Sequence, residues 1–166
     1  MAGLLRNIIA FILGLPAYGR LAPNGTTTAR FLVTPFDVGM KVLKSDKYLQ
    51  LVEPAQLDYL LQVGRLFGIL RSGARFVNVG QTVRFFRPIR VFSMVRIETR
   101  IAYADEKCAF FASTLYVHGE RAAEVLVKMK YKKRGLTVDP RSLLHVHFDA
   151  APPPSVLKWD AALAAL

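Results

Sequence analysis

The period of the hydrophobic pattern changes at Gly73, from that of a helix to that of strands. Before that glycine, residues 48–70 place apolar side chains on most sides of a helix, with Leu49, Val52 and Leu60 among them. A helix that is apolar on most sides is normally covered by other structure. Pro54 lies inside the segment, and we expect it to kink the helix or to mark its first turn. The pattern therefore predicts one long, buried helix.

Segments with a period of two lie on both sides of this helix. Residues 26–34 are rich in β-branched side chains, whereas residues 92–103 and 122–132 alternate cleanly between apolar and other positions. Further strands are predicted at 75–79, 82–86 and 108–118. A strand, a long apolar helix and then four or five antiparallel strands predict an α+β fold, in which the sheet wraps around one central helix.

Both ends of the chain differ from this central domain, which we place at 26–148. Residues 1–25 contain an apolar run over 8–15, which is far shorter than the ~20 residues of a membrane-spanning helix. We expect a helix lying on a membrane or on a neighbouring surface; an uncleaved anchor or signal and a core helix are the alternatives. Residues 149–166 form a proline-rich spacer and a short helix. Its apolar face should dock on the same domain or on a partner subunit, and it comprises Val156, Trp159, Leu163 and Leu166.

Composition narrows the possible partners. The 166 residues are 52% apolar with a formal net charge of +11, and Cys108 is the one cysteine. This content excludes a chain that is mainly disordered, and it excludes a disulfide framework or a cysteine-based zinc cage. Residues 59–97 hold seven arginines and no acid, and a second basic run follows at 128–134. Such a charge favours an anionic partner: nucleic acid, an acidic membrane surface or a phosphate-bearing small molecule.

The sequence gives little support for a metal site or for a nucleic-acid-binding surface. His145 and His147 have the spacing of two metal ligands on a strand, but no third ligand is evident, so we predict no metal site. The basic residues do not follow the aromatic pattern of known nucleic-acid-binding modules. We therefore expect no nucleic-acid partner.

Short motifs resemble one protein superfamily. They read Arg30-Phe-Leu-Val-Thr-Pro-Phe-Asp37, Tyr48-Leu-Gln-Leu, Gln81-Thr-Val-Arg-Phe-Phe-Arg-Pro-Ile89 and Ile97-Glu-Thr-Arg100. Through them, residues 26–134 resemble the 4-hydroxybenzoyl-CoA-thioesterase-like superfamily, and most closely its thioesterase-superfamily-member-six-like branch. The resemblance implies a hotdog fold and hydrolysis of an acyl-CoA thioester, with CoA as part of the substrate and no separate cofactor. It also implies a homodimer or higher homo-oligomer. We expect a cytoplasmic protein, with peripheral association with a membrane as a further expectation.

The catalytic stretch of that superfamily is altered in this sequence. It typically reads Pro-Thr-Asp-x-Asp-x-x-x-His-Met-Asn-Asn-x-x-Tyr-Leu, whereas here it reads Pro35-Phe-Asp-Val-Gly-Met-Lys-Val-Leu-Lys-Ser-Asp-Lys-Tyr-Leu49. Asp37 matches the first aspartate, but Gly39 stands in place of the usual catalytic carboxylate, and Leu43 in place of the histidine. Asp37 and Glu53 remain the candidates for a catalytic carboxylate. The alternative is a degenerate hotdog protein that binds acyl-CoA or acyl chains without hydrolysis.

Further side chains are candidates for substrate binding. Arg84, Arg87 and Arg90 would hold the phosphate groups of CoA, because a guanidinium binds phosphate oxygens in a bidentate geometry. The acids also have structural explanations, in which Asp37 orients its loop, Asp46 caps the helix, Glu53 faces solvent and Asp58 pairs with an arginine. The substrate-binding candidates are Asp46, Tyr48, Asp58, Gln81, Arg84, Arg87 and Arg90.

A third class of function is a membrane-surface interaction protein whose positive charge contacts anionic lipid.

Overall fold

The computed structural model describes residues 2–149 and 151–165, and the side chains of residues 2–6 lie outside the description. Its helices are α1 (Ala2–Gly14), α2 (Ser45–Gln62), α3 (Leu66–Arg71), α4 (Pro140–Leu144) and α5 (Pro154–Ala164). Its strands are β1 (Thr27–Leu32), β2 (Arg75–Phe85), β3 (Met94–Ala104), β4 (Ala109–Val117), β5 (Glu120–Lys133) and β6 (Leu136–Val138). Short 3-10 turns lie at Leu15–Ala17 and Pro35–Asp37.

One antiparallel sheet forms the body of the described chain. Its strands lie in the order β1-β3-β4-β5-β2, and β6 pairs with β5. Alternation decides which face is buried: on β5 the side chains of Val125, Val127 and Met129 point inward, and the intervening positions point outward. Helix α2 packs on the inner face, where the ring of Tyr59 meets Phe111 edge to face at 5.7 Å. The predicted α+β fold with a sheet around a central helix is confirmed.

The predicted long helix is two helices. Gly64 adopts a left-handed φ of 71° between them, a conformation that commonly ends a helix. Pro54 lies well inside α2, which continues through it, so the expectation that it marks the first turn is wrong. The N-cap of α2 is Lys44. Asp46 therefore lies in the first turn, and the expectation that it caps the helix is also wrong.

Strand β2 lies at an edge of the sheet. It is a single strand rather than the two short ones predicted, with a shift of register between Asn78 and Gly80. Most of its positions are exposed, including the large apolar Val77, Val79 and Phe85. Only one side of β2 pairs with another described strand. A long edge strand with exposed apolar residues is a surface on which another strand can pair.

The N-terminal helix α1 packs against α2 and α3. Ala10 is buried, and the ring of Phe11 meets Phe67 at 6.1 Å with an interplanar angle of 84°. Gly14 allows this approach, since a Cβ there would lie 2.6 Å from Oδ1 of Asp58. The other side of α1 exposes Ile8, Ile9, Ile12 and Leu13. Among the described helices, none combines the length and hydrophobicity needed to cross a membrane.

The C-terminal helix α5 covers part of the outer face of the sheet. Val156 is buried there, and the ring of Trp159 meets Phe110 of β4 at 6.3 Å. Leu163 lies over β2. The predicted docking of this helix on its own domain is therefore confirmed. Leu166, the fourth residue predicted for the docking face, lies outside the described residues. The division into 1–25, 26–148 and 149–166 stays a prediction.

Candidate functional site

A pocket of about 300 Å³ opens where α2 begins and β2 ends. The loop before α2 and the segment after β2 are joined there by backbone hydrogen bonds. The N–H of Leu43 donates to the carbonyl oxygen of Ile89 at 2.7 Å, and Val42 bridges to Arg90. These bonds bring the altered catalytic stretch against the Thr-Val-Arg-Phe-Phe-Arg-Pro motif. The lining residues are Val42, Leu43, Ser45, Tyr48, Phe85, Phe86, Arg87 and Pro88.

The altered stretch forms a small hairpin at this pocket. Val38 bridges to Leu43, and the N–H of Gly39 donates to the carbonyl oxygen of Val42 at 3.0 Å. A Cβ at Gly39 would meet only carbon atoms of Lys44, at 3.9 and 4.0 Å, which are ordinary contact distances. The position therefore has space for a side chain. Packing does not require a glycine at this position.

The N-terminus of α2 contributes positive electrostatic potential. The N-cap Lys44 makes no side-chain capping hydrogen bond, and Ser45 of the first turn lines the pocket. The first N–H groups of a helix lack intrahelical acceptors, and the helix dipole adds a partial positive charge at the same place. In this 18-residue helix, those groups can stabilise an oxyanion or a carbonyl oxygen in the pocket.

Tyr48 places a phenol in the wall of the pocket. Its ring is buried and meets Phe85 of β2 at 4.9 Å, nearly edge to face. Burial raises the pKa of Tyr48 above its usual 10.0, and a backbone hydrogen bond at Ile89 opposes the rise. The hydroxyl is therefore protonated at neutral pH and can donate a hydrogen bond.

Asp37 lies next to this helix end but is already engaged. Its side chain is fully buried, at 0% exposure. Oδ2 accepts hydrogen bonds from the N–H of Thr34 at 2.8 Å and from its hydroxyl at 2.7 Å. The backbone carbonyl of Asp37 accepts from the N–H of Lys44 at 3.1 Å, which ties it to the N-cap of α2. These contacts agree with the loop-orienting explanation, and the catalytic function of Asp37 stays a prediction.

The other predicted acids lie outside the lining of the pocket. Asp46 is exposed and lies 3.8 Å from Lys47. Glu53 faces α1, where the side-chain amide of Asn7 donates to its Oε1 at 3.5 Å. Its catalytic function stays a prediction, and its position is on the α1 side of α2. No lining residue of the pocket carries a carboxylate.

Asp58 belongs to a different groove. It lies between α1, α2 and β1, in a space of about 450 Å³ that Ile9, Leu13 and Phe31 also line. Oδ2 of Asp58 accepts from the amide of Gln62 at 2.8 Å, so the expectation of an arginine partner is wrong. Burial raises the pKa of Asp58, and the bond from Gln62 opposes the rise.

The three arginines predicted to bind phosphate are divided among different surfaces. Arg87 lines the pocket and pairs with Glu120. Arg87 also lines a neighbouring pocket of about 480 Å³, together with Arg90. Arg84 lies on the outer face of β2, in a third groove. Gln81 is exposed on the inner face of β2, opposite Val127.

Sequence reasoning missed Ser45 and Phe85 as pocket residues. Ser45 belongs to the altered catalytic stretch and Phe85 to the motif at residues 81–89, so the pairing of these two segments was the missing signal. Among the described residues, no three His, Cys, Asp or Glu side chains form a cluster that could hold a metal ion. His147 instead lies 3.0 Å from Asp149.

Comparisons with known proteins define the fold further. No protein-family model and no curated protein matches this sequence. Solved structures do: a probable thioesterase from Bartonella henselae is 19% identical, covering 69% of this chain and 98% of that chain, with a TM-score of 0.64. A gentisyl-coenzyme A thioesterase is 18% identical, covering 72% of this chain and 100% of its own, with a TM-score of 0.66.

The chain has the fold of the hotdog thioesterases. A thioesterase from Thermus thermophilus, complexed with coenzyme A and Zn, is 19% identical with a TM-score of 0.63. The match covers 71% of this chain and 93% of that one. At these identities the likeness establishes the fold, and the predicted resemblance to the hotdog superfamily is confirmed at that level. Nearly all of each thioesterase is matched, so this chain carries additional residues on a hotdog domain.

Proposed function

We propose that this protein is an acyl-CoA thioesterase-like protein that binds the thioester at the N-terminus of α2. The observation that carries the proposal is the helix end without a capping side chain, which opens into a pocket lined by Ser45, Tyr48 and Arg87. The thioester carbonyl would accept hydrogen bonds from the first N–H groups of α2. Arg87 and Arg90 would contact CoA phosphates at the outer rim. The fold of the coenzyme A-bound thioesterase supports this choice of ligand.

The proposed reaction is hydrolysis of the thioester. Water attacks the carbonyl carbon, the C–S bond breaks, and the products are a carboxylic acid and the thiol of CoA. A base must take a proton from the attacking water. Asp37 is the best-placed candidate, because its backbone is bonded to the N-cap of α2, whereas Glu53 faces α1.

A non-hydrolytic binder is the second candidate function. Its support is the lack of any carboxylate among the residues lining the pocket, together with the engagement of Asp37 by Thr34. The two candidates are separated by assaying free CoA thiol release from a panel of acyl-CoA thioesters, with binding measured in parallel. Turnover supports the hydrolase. Saturable binding without turnover supports the binder, and neither turnover nor binding contradicts both.

A homodimer through β2 is part of the proposal. The free edge of this exposed strand would pair with β2 of a second copy and cover Val77, Val79 and Phe85. Because Phe85 also lines the pocket, the second copy would lie beside it. Light scattering should give the mass of two chains at micromolar concentration, and a monomer would contradict the dimer.

Peripheral membrane association is also proposed. Support comes from the exposed apolar side of α1 and from Phe36 and Met40, which are 84% and 95% exposed in the loops before α2. Lys41 and Lys44 beside them are exposed as well. Apolar side chains among cations suit insertion into an anionic bilayer surface.

A further inference from the structure

A groove lies on the outer face of the sheet, away from the pocket at α2. It has a volume of about 760 Å³ and runs across β3, β4, β5 and β2, with α5 along one side. Small and hydroxyl-bearing side chains line much of it, including Thr82, Ala112, Thr114 and Ser155. This size is ordinary for a small-molecule site.

Three cations line this groove without an ionic partner. Arg84 comes from β2, Arg100 from β3 and Lys158 from α5, and none of them forms an ion pair with a described residue. All three are exposed. Arg84 contacts the ring of Phe86, its centroid 4.8 Å from the guanidinium carbon, and does not pair with an acid there.

The two acids of the groove are paired with other arginines. Glu98 forms an ion pair with Arg96, and Glu124 forms one with Arg121 at 2.7 Å. Neither carboxylate neutralises the three lining cations through a direct contact. The groove therefore presents positive charge with hydroxyl donors, which is the chemistry that binds phosphate groups.

An aromatic side chain completes the lining. Trp159 of α5 lies in the wall of the groove and is half-buried against Phe110. The ion pair between Lys128 and Asp160 and the burial of Val156 hold α5 on the sheet. Trp159 is thus a fixed apolar surface beside the unpaired cations, suited to a planar ring.

We propose that this outer-face groove binds a nucleoside phosphate. Arg84, Arg100 and Lys158 hold its phosphate groups, and Trp159 contacts its base. The site is separate from the pocket at α2, and it does not depend on thioester chemistry there. It also gives Arg84 a phosphate-binding function apart from Arg87 and Arg90.

The single tryptophan of the chain makes the test direct. Titration of the full chain with adenosine diphosphate should quench the fluorescence of Trp159 in a saturable way. Pyrophosphate should bind more weakly, since it lacks the base. The double variant Arg84→Gln/Arg100→Gln should weaken adenosine diphosphate at least about tenfold, because each arginine supplies a charge-assisted hydrogen bond. Arg75→Gln, on the same strand but outside the groove lining, should leave the affinity within about twofold.

Several outcomes would overturn the proposal. The first is the absence of saturable binding at millimolar adenosine diphosphate. The second is a loss of affinity in Arg75→Gln as large as that in the double variant. The third is a loss of affinity in Arg87→Gln that the groove variants do not show. The last result would place the nucleotide at the α2 pocket. Pyrophosphate binding as tightly as the nucleotide would refute the contact with the base. If the groove variants change the mass measured by light scattering but bind adenosine diphosphate as tightly as wild type, this face is an interface between copies and not a nucleotide site. If the double variant fails to fold, Lys158→Gln on the exposed side of α5 replaces it, with the same expected direction.

Discussion

The backbone N–H of Leu43 donates a 2.7 Å hydrogen bond to the carbonyl oxygen of Ile89. This bond joins the stretch in which the superfamily carries its catalytic residues to the segment that follows β2. The pocket at the N-terminus of α2 exists because these two segments meet. It keeps the positive helix end and the phenol of Tyr48, while the carboxylate expected at Gly39 is absent.

Restoring that carboxylate should increase hydrolysis. A Cβ at Gly39 would have only ordinary contact distances to its neighbours, and Gly39 is not among the residues with positive φ. Gly39→Asp should therefore fold and raise kcat/KM for acyl-CoA hydrolysis by about 100-fold or more, the scale of a general base. Gly68→Asp, which also has open space around the new side chain, is the matched control. Equal rates in Gly39→Asp and wild type would show that a carboxylate at this position is not sufficient.

Asp37 is tested by separating its charge from its hydrogen bonds. Asp37→Asn should lower the hydrolytic rate by about 10²–10⁴-fold if the carboxylate is the base. Thr34→Val removes the hydroxyl that donates to the same oxygen. It should lower the free energy of unfolding by about 1–2 kcal/mol while keeping most of the rate per folded molecule. Glu53→Gln, at the other candidate base, should change neither quantity appreciably if Asp37 is the base. Unchanged rates in Asp37→Asn would remove Asp37 from the mechanism.

Much of the fold could be predicted from the sequence, because burial on one face produces alternation in β3, β4 and β5. The start of α2 could not be predicted. The pattern predicts a helix from residue 48, whereas the helix begins at Ser45. Its N-cap, Lys44, is not a typical capping residue, so the sequence carries no signal for the start. Strand β6 is short and mostly exposed, so it has no pattern to detect. Arg84 and Arg87 line different cavities. This placement depends on where β2 ends and on the packing of α5, which are properties of the tertiary structure.

Asp58 predicts a pH dependence of stability. Burial raises its pKa in the folded state from 3.8, so at pH values above 3.8 the folded chain binds more protons at this site than the unfolded chain does. The contribution of Asp58 to stability is therefore present at low pH and is lost as pH rises through the folded pKa. Asp58→Asn should raise Tm at pH 7, and the gain should shrink towards pH 4. A gain in Tm that is the same at both pH values would contradict this explanation. The control is Asp46→Asn, which makes the same substitution at an exposed position.

The membrane proposal predicts which substitutions matter. Removing residues 1–15 would uncover the surface of α2 on which α1 packs, so exposed positions are the better test. Ile12→Ser/Leu13→Ser should weaken co-sedimentation with anionic vesicles several-fold, because it removes apolar area from the exposed side. Leu136→Ser, at a 75% exposed position beside the basic run of β5, is the control. Equal pelleting of both variants and wild type would count against α1 as the membrane contact.

Charge reversal at Arg87 should weaken binding of CoA. Arg87→Glu removes a phosphate contact and adds repulsion, so we expect an affinity about tenfold lower for an S-alkyl CoA, which cannot be hydrolysed. Calorimetry should be done in the Arg84→Gln/Arg100→Gln background, so that the outer-face groove does not contribute. Arg75→Glu in that background is the control, and an equal loss there would assign the effect to overall charge.

Hydrogen–deuterium exchange of the full chain with and without an S-alkyl CoA tests the central claim most directly, because it reports where the ligand binds. The account predicts slower exchange in peptides covering residues 38–48 and 85–90, the two segments that form the pocket at α2, and loss of this protection in Arg87→Glu. Binding that leaves exchange in both segments unchanged would contradict the proposed site.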